Sequence, residues 1–111
     1  GEGGKMSVKV RFTDHTDIAC EVKPSDIVNS LKQMVFEQTG THGAKQRFLF
    51  SGKFLEGGET LESYRIINGA VIIVTLQEAS RQEEEVWERE FKQMLSVAAA
   101  RGASAPKGKQ G

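Results

Sequence analysis

Residues 45–61 read KQRFLFSGKFLEGGETL. Phe48-Leu49-Phe50 is a short apolar run of strand type, Ser51-Gly52-Lys53 turns it back, and Gly57-Gly58 turns the chain again before Thr60-Leu61. No residue in this stretch is built for bond-making chemistry. The segments before it form a hairpin and a helix that need a sheet to lean on. The segment after it supplies the last strand of that sheet.

Upstream, Val8, Val10 and Phe12 alternate with Lys9 and Arg11, the period of a half-buried strand. Asp14-His15-Thr16-Asp17 is a polar turn, and Ile18, Cys20 and Val22 alternate again, so the two runs make an antiparallel hairpin. Pro24-Ser25-Asp26 opens a helix, with Ser25 or Asp26 expected to accept the free N–H groups of its first turn. Val28, Leu31 and Val35 fall on one face of that helix, off which Met34 and Phe36 lie, and Gly40 stands where a helix-ending glycine belongs. Thr41–Ala44 is a connecting loop in which His42 is expected to be exposed. Downstream, Leu61–Ile66 is a short turn carrying Tyr64, and Asn68-Gly69 is a tight turn. Val71–Leu76 is β-branched and continuous, which suits a central strand. The order β-β-α-β, a short strand or turn, then β describes an α+β mixed sheet packed on one helix.

The chain holds 15 basic and 15 acidic residues, so no global field favours nucleic acid or an anionic membrane. The charge is segmented, however. Residues 6–76 are balanced, residues 77–95 are acidic, and residues 96–111 carry only Arg101, Lys107 and Lys109. Ser80 followed by Glu83 is a capping-box signature. Glu85/Arg89 and Glu88/Lys92 are helix-stabilising pairs, and Trp87, Phe91, Met94 and Ala98 share one face of a helix predicted over 81–100. The expected division is a flexible linker or tag remnant at 1–5, a domain at 6–76, an acidic amphipathic helical extension at 77–101, and a disordered basic tail at 102–111. The single cysteine, Cys20, reads as a small core residue, and with no secretory run at the N-terminus it points to a reducing compartment, cytoplasmic or nuclear. No metal-binding spacing links Cys20, His15 and His42, and no metal or cofactor is expected.

Residues 6–76 resemble ubiquitin and ubiquitin-like domains. The resemblance rests on Pro24-Ser25-Asp26, Gln46-Arg47, Phe50-Ser51-Gly52-Lys53, Leu55-Glu56, Gly58, Thr60-Leu61, Tyr64 and Ile66, in this order and spacing. It implies a β-grasp fold, with the Tyr64 hydroxyl tied to backbone near Glu56. Conjugated members end in Gly-Gly after a basic tail, whereas this chain has Ser80-Arg81 there, so the resemblance is to the non-conjugatable type. Lys32 and Lys53 match positions of chain linkage but read here as ordinary surface lysines. The family's apolar recognition patch maps onto Leu49, with Thr13, Thr75 and Ile73 at its flanks and Gly52 in the adjoining turn. Phe54 and Val71 add apolar area where ubiquitin is polar.

The expected function is therefore a non-catalytic interaction module that presents the sheet face around Leu49 to a ubiquitin-binding domain or a proteasome subunit. No catalytic grouping or phosphate loop stands against that reading. The first alternative is an adaptor or oligomerisation protein in which Trp87, Phe91 and Met94 form the main binding face, and the last is a conjugated ubiquitin-like modifier. Three placements of that helix are open: folded back over the Leu49/Ile73 patch or over Phe36 and Met34, docked in a partner groove or in a weak dimer of an otherwise monomeric chain, or laid on a membrane. The acidic polar face argues against the membrane, and the basic tail, without interleaved aromatic residues, argues against nucleic acid.

Overall fold

The structure, a computed structural model, describes residues 4–100, with side chains through Ser96. Residues 1–3 of the expected linker, the expected tail at 102–111 and the side chain of Ala98 lie outside the described residues. The strands are β1 (Met6–Phe12), β2 (Asp17–Val22), β3 (Gln46–Phe50), β4 (Lys53–Phe54) and β5 (Val71–Leu76), and the helices are α1 (Val28–Thr39) and α2 (Arg81–Ala100). They form one five-stranded sheet in the order β2-β1-β5-β3-β4. β5 runs parallel to β1, and the other pairs are antiparallel. This is the β-grasp arrangement that the resemblance implies.

Period-2 patterning decides which face of each strand is covered. Val8 and Val10, Phe48, and Ile72 and Val74 are buried, while Lys9 and Arg47 between them are exposed. α1 lays Val28, Leu31 and Val35 on that inner face, all at 0% exposure. Leu55, Leu61 and Ile66 close the core from the long connection between β4 and β5, and Phe50 packs at its margin. Each such side chain contributes roughly 1.5–3 kcal/mol through removal from water. Cys20 belongs to this core, and burial pushes its thiol pKa up, so it is an inert packing residue.

The start of α1 differs from the sequence expectation. Its N-cap is Ile27, which makes no side-chain cap. Asp26 instead turns its carboxylate back to the Lys23 N–H at 2.9 Å, because it stands one residue too early to reach the first turn. The first-turn donors are met by tertiary carbonyls: Val28 N–H donates to Glu59 O and Asn29 N–H to Gly57 O, each at 2.9 Å. In return Leu61 N–H donates to Asp26 O and Glu62 N–H to Pro24 O. At the other end Gly40 adopts φ 80° and its N–H reaches Phe36 O, as a helix-ending glycine does. Tyr64, in a 3-10 turn over Glu62–Tyr64, accepts the Glu56 N–H on its hydroxyl at 2.7 Å.

The 41–45 segment is also more ordered than a plain loop. Gly43–Lys45 is a 3-10 turn. Gln46, 1% exposed, donates its Nε2 to Lys32 O and Thr41 O, tying α1 and this turn to the start of β3. Replacing Leu31 by alanine is expected to cost about 2–5 kcal/mol, as for other fully buried leucines, read from urea denaturation followed by far-ultraviolet circular dichroism.

Candidate functional site

Strand register assembles the outer face of the sheet into a single row. Asp17 pairs with Arg11, Arg11 with Ile73, Ile73 with Leu49, and Leu49 with Phe54, so one line crosses all five strands. Its centre is apolar. Leu49 and Ile73 are half-buried, Phe54 is 51% exposed, and Val71 lies alongside, opposite Lys9. Thr75 faces Arg47 in the next row, and Thr13 is exposed in the β1–β2 turn. The structure thus brings Leu49, Phe54, Val71, Ile73 and Thr75 onto one face. Gly52 has a local reason for being glycine. Ser51 at φ 53° and Gly52 at φ 79° make the two-residue turn whose twist matches a hairpin.

Cations rim the row, which apolar patterning alone did not single out. Arg11 holds Asp17 in a bidentate pair, Nε to Oδ1 at 2.9 Å and Nη2 to Oδ2 at 3.1 Å. Those hydrogen bonds hold the Asp17 carboxyl below the usual carboxylate range, and Thr16 does the same for Asp14. The Arg47 guanidinium lies 4.1 Å above the centroid of the Phe54 ring. The signal that would have found Arg47 is its period-2 spacing from Leu49.

α2 folds back on the chain's own domain, but on neither surface named from the sequence. The capping box forms as expected: Ser80 N–H donates to Glu83 Oε1 at 2.8 Å, and Glu83 N–H donates to Ser80 Oγ at 3.1 Å. Gln77 anchors the chain ahead of α2, donating its N–H to Lys45 O and its Nε2 to Ala44 O. Trp87 then seats against the 3-10 turn. Its Nε1 donates to Asn29 Oδ1 at 3.1 Å, and its ring meets His42 edge-on at 5.6 Å and stacks on Phe91 at 5.2 Å.

Glycine makes the seat possible. A Cβ at Gly43 would stand 2.4 Å from Trp87 Cζ2, and one at Gly57 would stand 2.3 Å from Asn29 Oδ1. Met94 reaches towards Gly58. Phe36 meets the His42 ring edge-on at 6.3 Å and stays 39% exposed, whereas Met34 packs on the core.

Two readings of single residues change accordingly. His42 is not an exposed loop residue. Its Nδ1 accepts the Ala44 N–H at 3.0 Å, which puts the ring proton on Nε2, 2.7 Å from Glu88 Oε2. Lys32 is not an ordinary surface lysine. Its ammonium sits 5.7 Å from the Phe48 ring centroid, and burial first, then the nearby Arg47 charge, lower its pKa. Lys53 is exposed as expected, but it opens β4, paired with Phe50, and does not lie in the turn. Among the described residues no group of His, Cys, Asp and Glu stands where it could hold a metal, and no helix is long and apolar enough to cross a membrane.

Trp87→Ala is expected to release α2. Amide signals of Asn29, His42, Gly43 and Ala44 should shift, and hydrogen-exchange protection across 81–92 should be lost. The cost should be about half of the ~3–5 kcal/mol of a fully buried tryptophan, because Trp87 is half-buried. Gly43→Ala should give the same shifts without touching α2. The Asp17 pair sets a pH dependence of definite sign. A folded-state pKa below the unfolded one stabilises fully above about pH 4 and is lost as pH falls through the folded value. Asp17→Asn should therefore flatten part of the acid limb of a plot of urea midpoint against pH, with Asp14 maintaining the rest.

Comparison with known proteins agrees with this geometry. Residues 7–79 match the ubiquitin family. The chain is 30% identical over 71 residues to the NEDD8-like protein RUB1 of Saccharomyces cerevisiae, covering 64% of this chain and 92% of that one. It is 28% identical over 71 residues to the ubiquitin-like protein NEDD8 of Dictyostelium discoideum, with the same coverage. It is also 34% identical over 61 residues to ubiquitin-like protein 4A of Callithrix jacchus, covering 55% of this chain but only 39% of that longer one. A family match over residues 7–79, on a chain with this fold, places it in the ubiquitin family.

Proposed function

We propose that this chain is a non-catalytic ubiquitin-like interaction module, working without a cofactor in the cytoplasm or nucleus. It offers the outer sheet face to a ubiquitin-binding domain or a proteasome subunit and is not itself conjugated. The observation that carries this reading is the position of α2. Its aromatic residues seat on Asn29, His42 and Gly43, and the Arg11–Ile73–Leu49–Phe54 row stays accessible. An apolar centre with cations at its rim suits a partner surface that is apolar with acidic edges.

Burying Leu49, Phe54 and Ile73 together supplies enough transfer free energy for a micromolar contact, about −8 kcal/mol net. The absence of conjugation is supported at the other end of β5. Conjugated members of the family keep a free tail after the last strand. Here Gln77 is hydrogen-bonded to the 44–45 backbone and Ser80 already caps a helix. An activating enzyme would need to thread Ser80 and Arg81 where its channel admits glycine. The reading in which Trp87 and Phe91 are the main binding element requires α2 to leave its seat.

Titration of isotopically labelled protein with the ubiquitin-binding segment of a proteasomal receptor tests the proposal. Amide shifts centred on Leu49, Phe54 and Ile73 are expected, with affinity reduced at least ~10-fold by Leu49→Asp. Shifts confined to α2 and the Gly43 turn, or none, would sink the sheet-face reading.

A further inference from the structure

A cleft of about 950 Å³ runs between α2 and the β3–β4 edge of the sheet. It exists because α2 rests on Trp87 and stands away from the strands. The α2 wall is acidic, and the domain wall carries two cations, Lys32 and Arg47, against one carboxylate, Glu56. On the domain wall Lys32 lies over Phe48 and Arg47 over Phe54, and all four residues line the cleft. The ion pairs among the described residues lie elsewhere, from Lys9 and Arg11 to Asp17. These two cations thus lie over aromatic faces, with the Glu56 charge acting on Lys32 from nearby. They are also close enough for Arg47 to make the Lys32 charge less favourable. A partly desolvated ammonium beside a guanidinium is a site that gains from an incoming anion.

The facing wall is acidic. Glu83, Val86 and Glu90 line the cleft from α2 at i, i+3 and i+7, one face of the helix. Glu83 and Glu90 stand two turns apart, about 10.5 Å along the axis. An anion alone would therefore meet repulsion from one wall, and a cation alone from the other. An extended chain resolves this conflict, because successive side chains point to opposite sides.

We propose that the cleft is a second binding site, for an extended segment of a partner protein in which acidic and basic residues alternate. The acidic side chains face Lys32 and Arg47, and the basic ones face Glu83 and Glu90. Leu55 and Val86 receive the aliphatic stems. This site goes beyond the sheet-face row, with which it shares only Arg47 and Phe54 at the β3–β4 edge.

Calorimetric titration of the full chain with three octapeptides tests the site: one of alternating Glu and Lys, one with the same residues in two blocks, and one of Glu alone. The alternating peptide is expected to bind at least ~10-fold tighter than the others. Glu90→Gln and Arg47→Gln, both at exposed positions, should each weaken it by about tenfold, and added salt should weaken it further. Amide spectra of the two variants establish that the fold and the α2 seat are kept. Leu49→Asp should leave this binding unchanged, which separates failure of the cleft from failure of the sheet face. Equal affinity for the all-glutamate or block peptide, affinity unaltered in both variants, or no measurable heat with any peptide overturns the proposal.

Discussion

The carbonyls of Gly57 and Glu59 take the first free N–H groups of α1, and much else in the molecule follows from that exchange. A helix start buried without partners would leave costly orphan donors. Here they are met from a segment close to sixty residues into the chain, which brings the 57–62 connection under the helix. Leu61 is thereby driven to 0% exposure and Tyr64 is placed where its hydroxyl reaches Glu56. The same exchange sets Asn29 against Gly57, with its Oδ1 turned towards Trp87. The acceptor that seats α2 is thus positioned by the contact that seats α1.

The two helices consequently divide the domain's surface between them. α1 covers the inner face of the sheet and α2 covers the flank made by Asn29, His42 and Gly43, so the outer face is the large surface that neither claims. Its composition suits an interface more than a solvated sheet. Cross-strand neighbours Ile73, Leu49 and Phe54 would ordinarily be polar on a face exposed to water. Arg47 shields one side of Phe54, which lessens the apolar area shown to water while leaving a cation at the edge of the patch.

What could be read from the sequence was what depends on near neighbours. The period-2 runs of β1 and β2, the continuous β-branched run of β5, the Gly40 terminus and the Ser80–Glu83 capping box are local devices, and each stands where its pattern put it. The outward residues Leu49, Phe54 and Ile73 were legible through the resemblance to the ubiquitin family, which carries a face over position by position. The misses share a long-range cause. Asp26 has the chemistry of a cap, but backbone carbonyls over thirty residues away had already filled that role. Lys32 lies one position from the Leu31 stripe, and its burial depends on Phe48 and the 46–57 segment. His42 and Gly43 carry no sign that a tryptophan 44 residues downstream from Gly43 will pack on them. An absent Cβ is silent until its neighbour is placed.

The seat of α2 has a spectroscopic consequence. Trp87 is the chain's one tryptophan, and it is held by α2 docking and not by the β-grasp core. Intrinsic emission from this protein therefore reports the helix, whereas the far-ultraviolet signal is shared with the sheet and α1. Local opening lies below global unfolding in free energy when a segment rests on few buried contacts. A melt followed by emission is then a measurement of the Asn29–Gly43 seat, and its midpoint belongs to α2 alone. The domain beneath it is optically quiet at that wavelength.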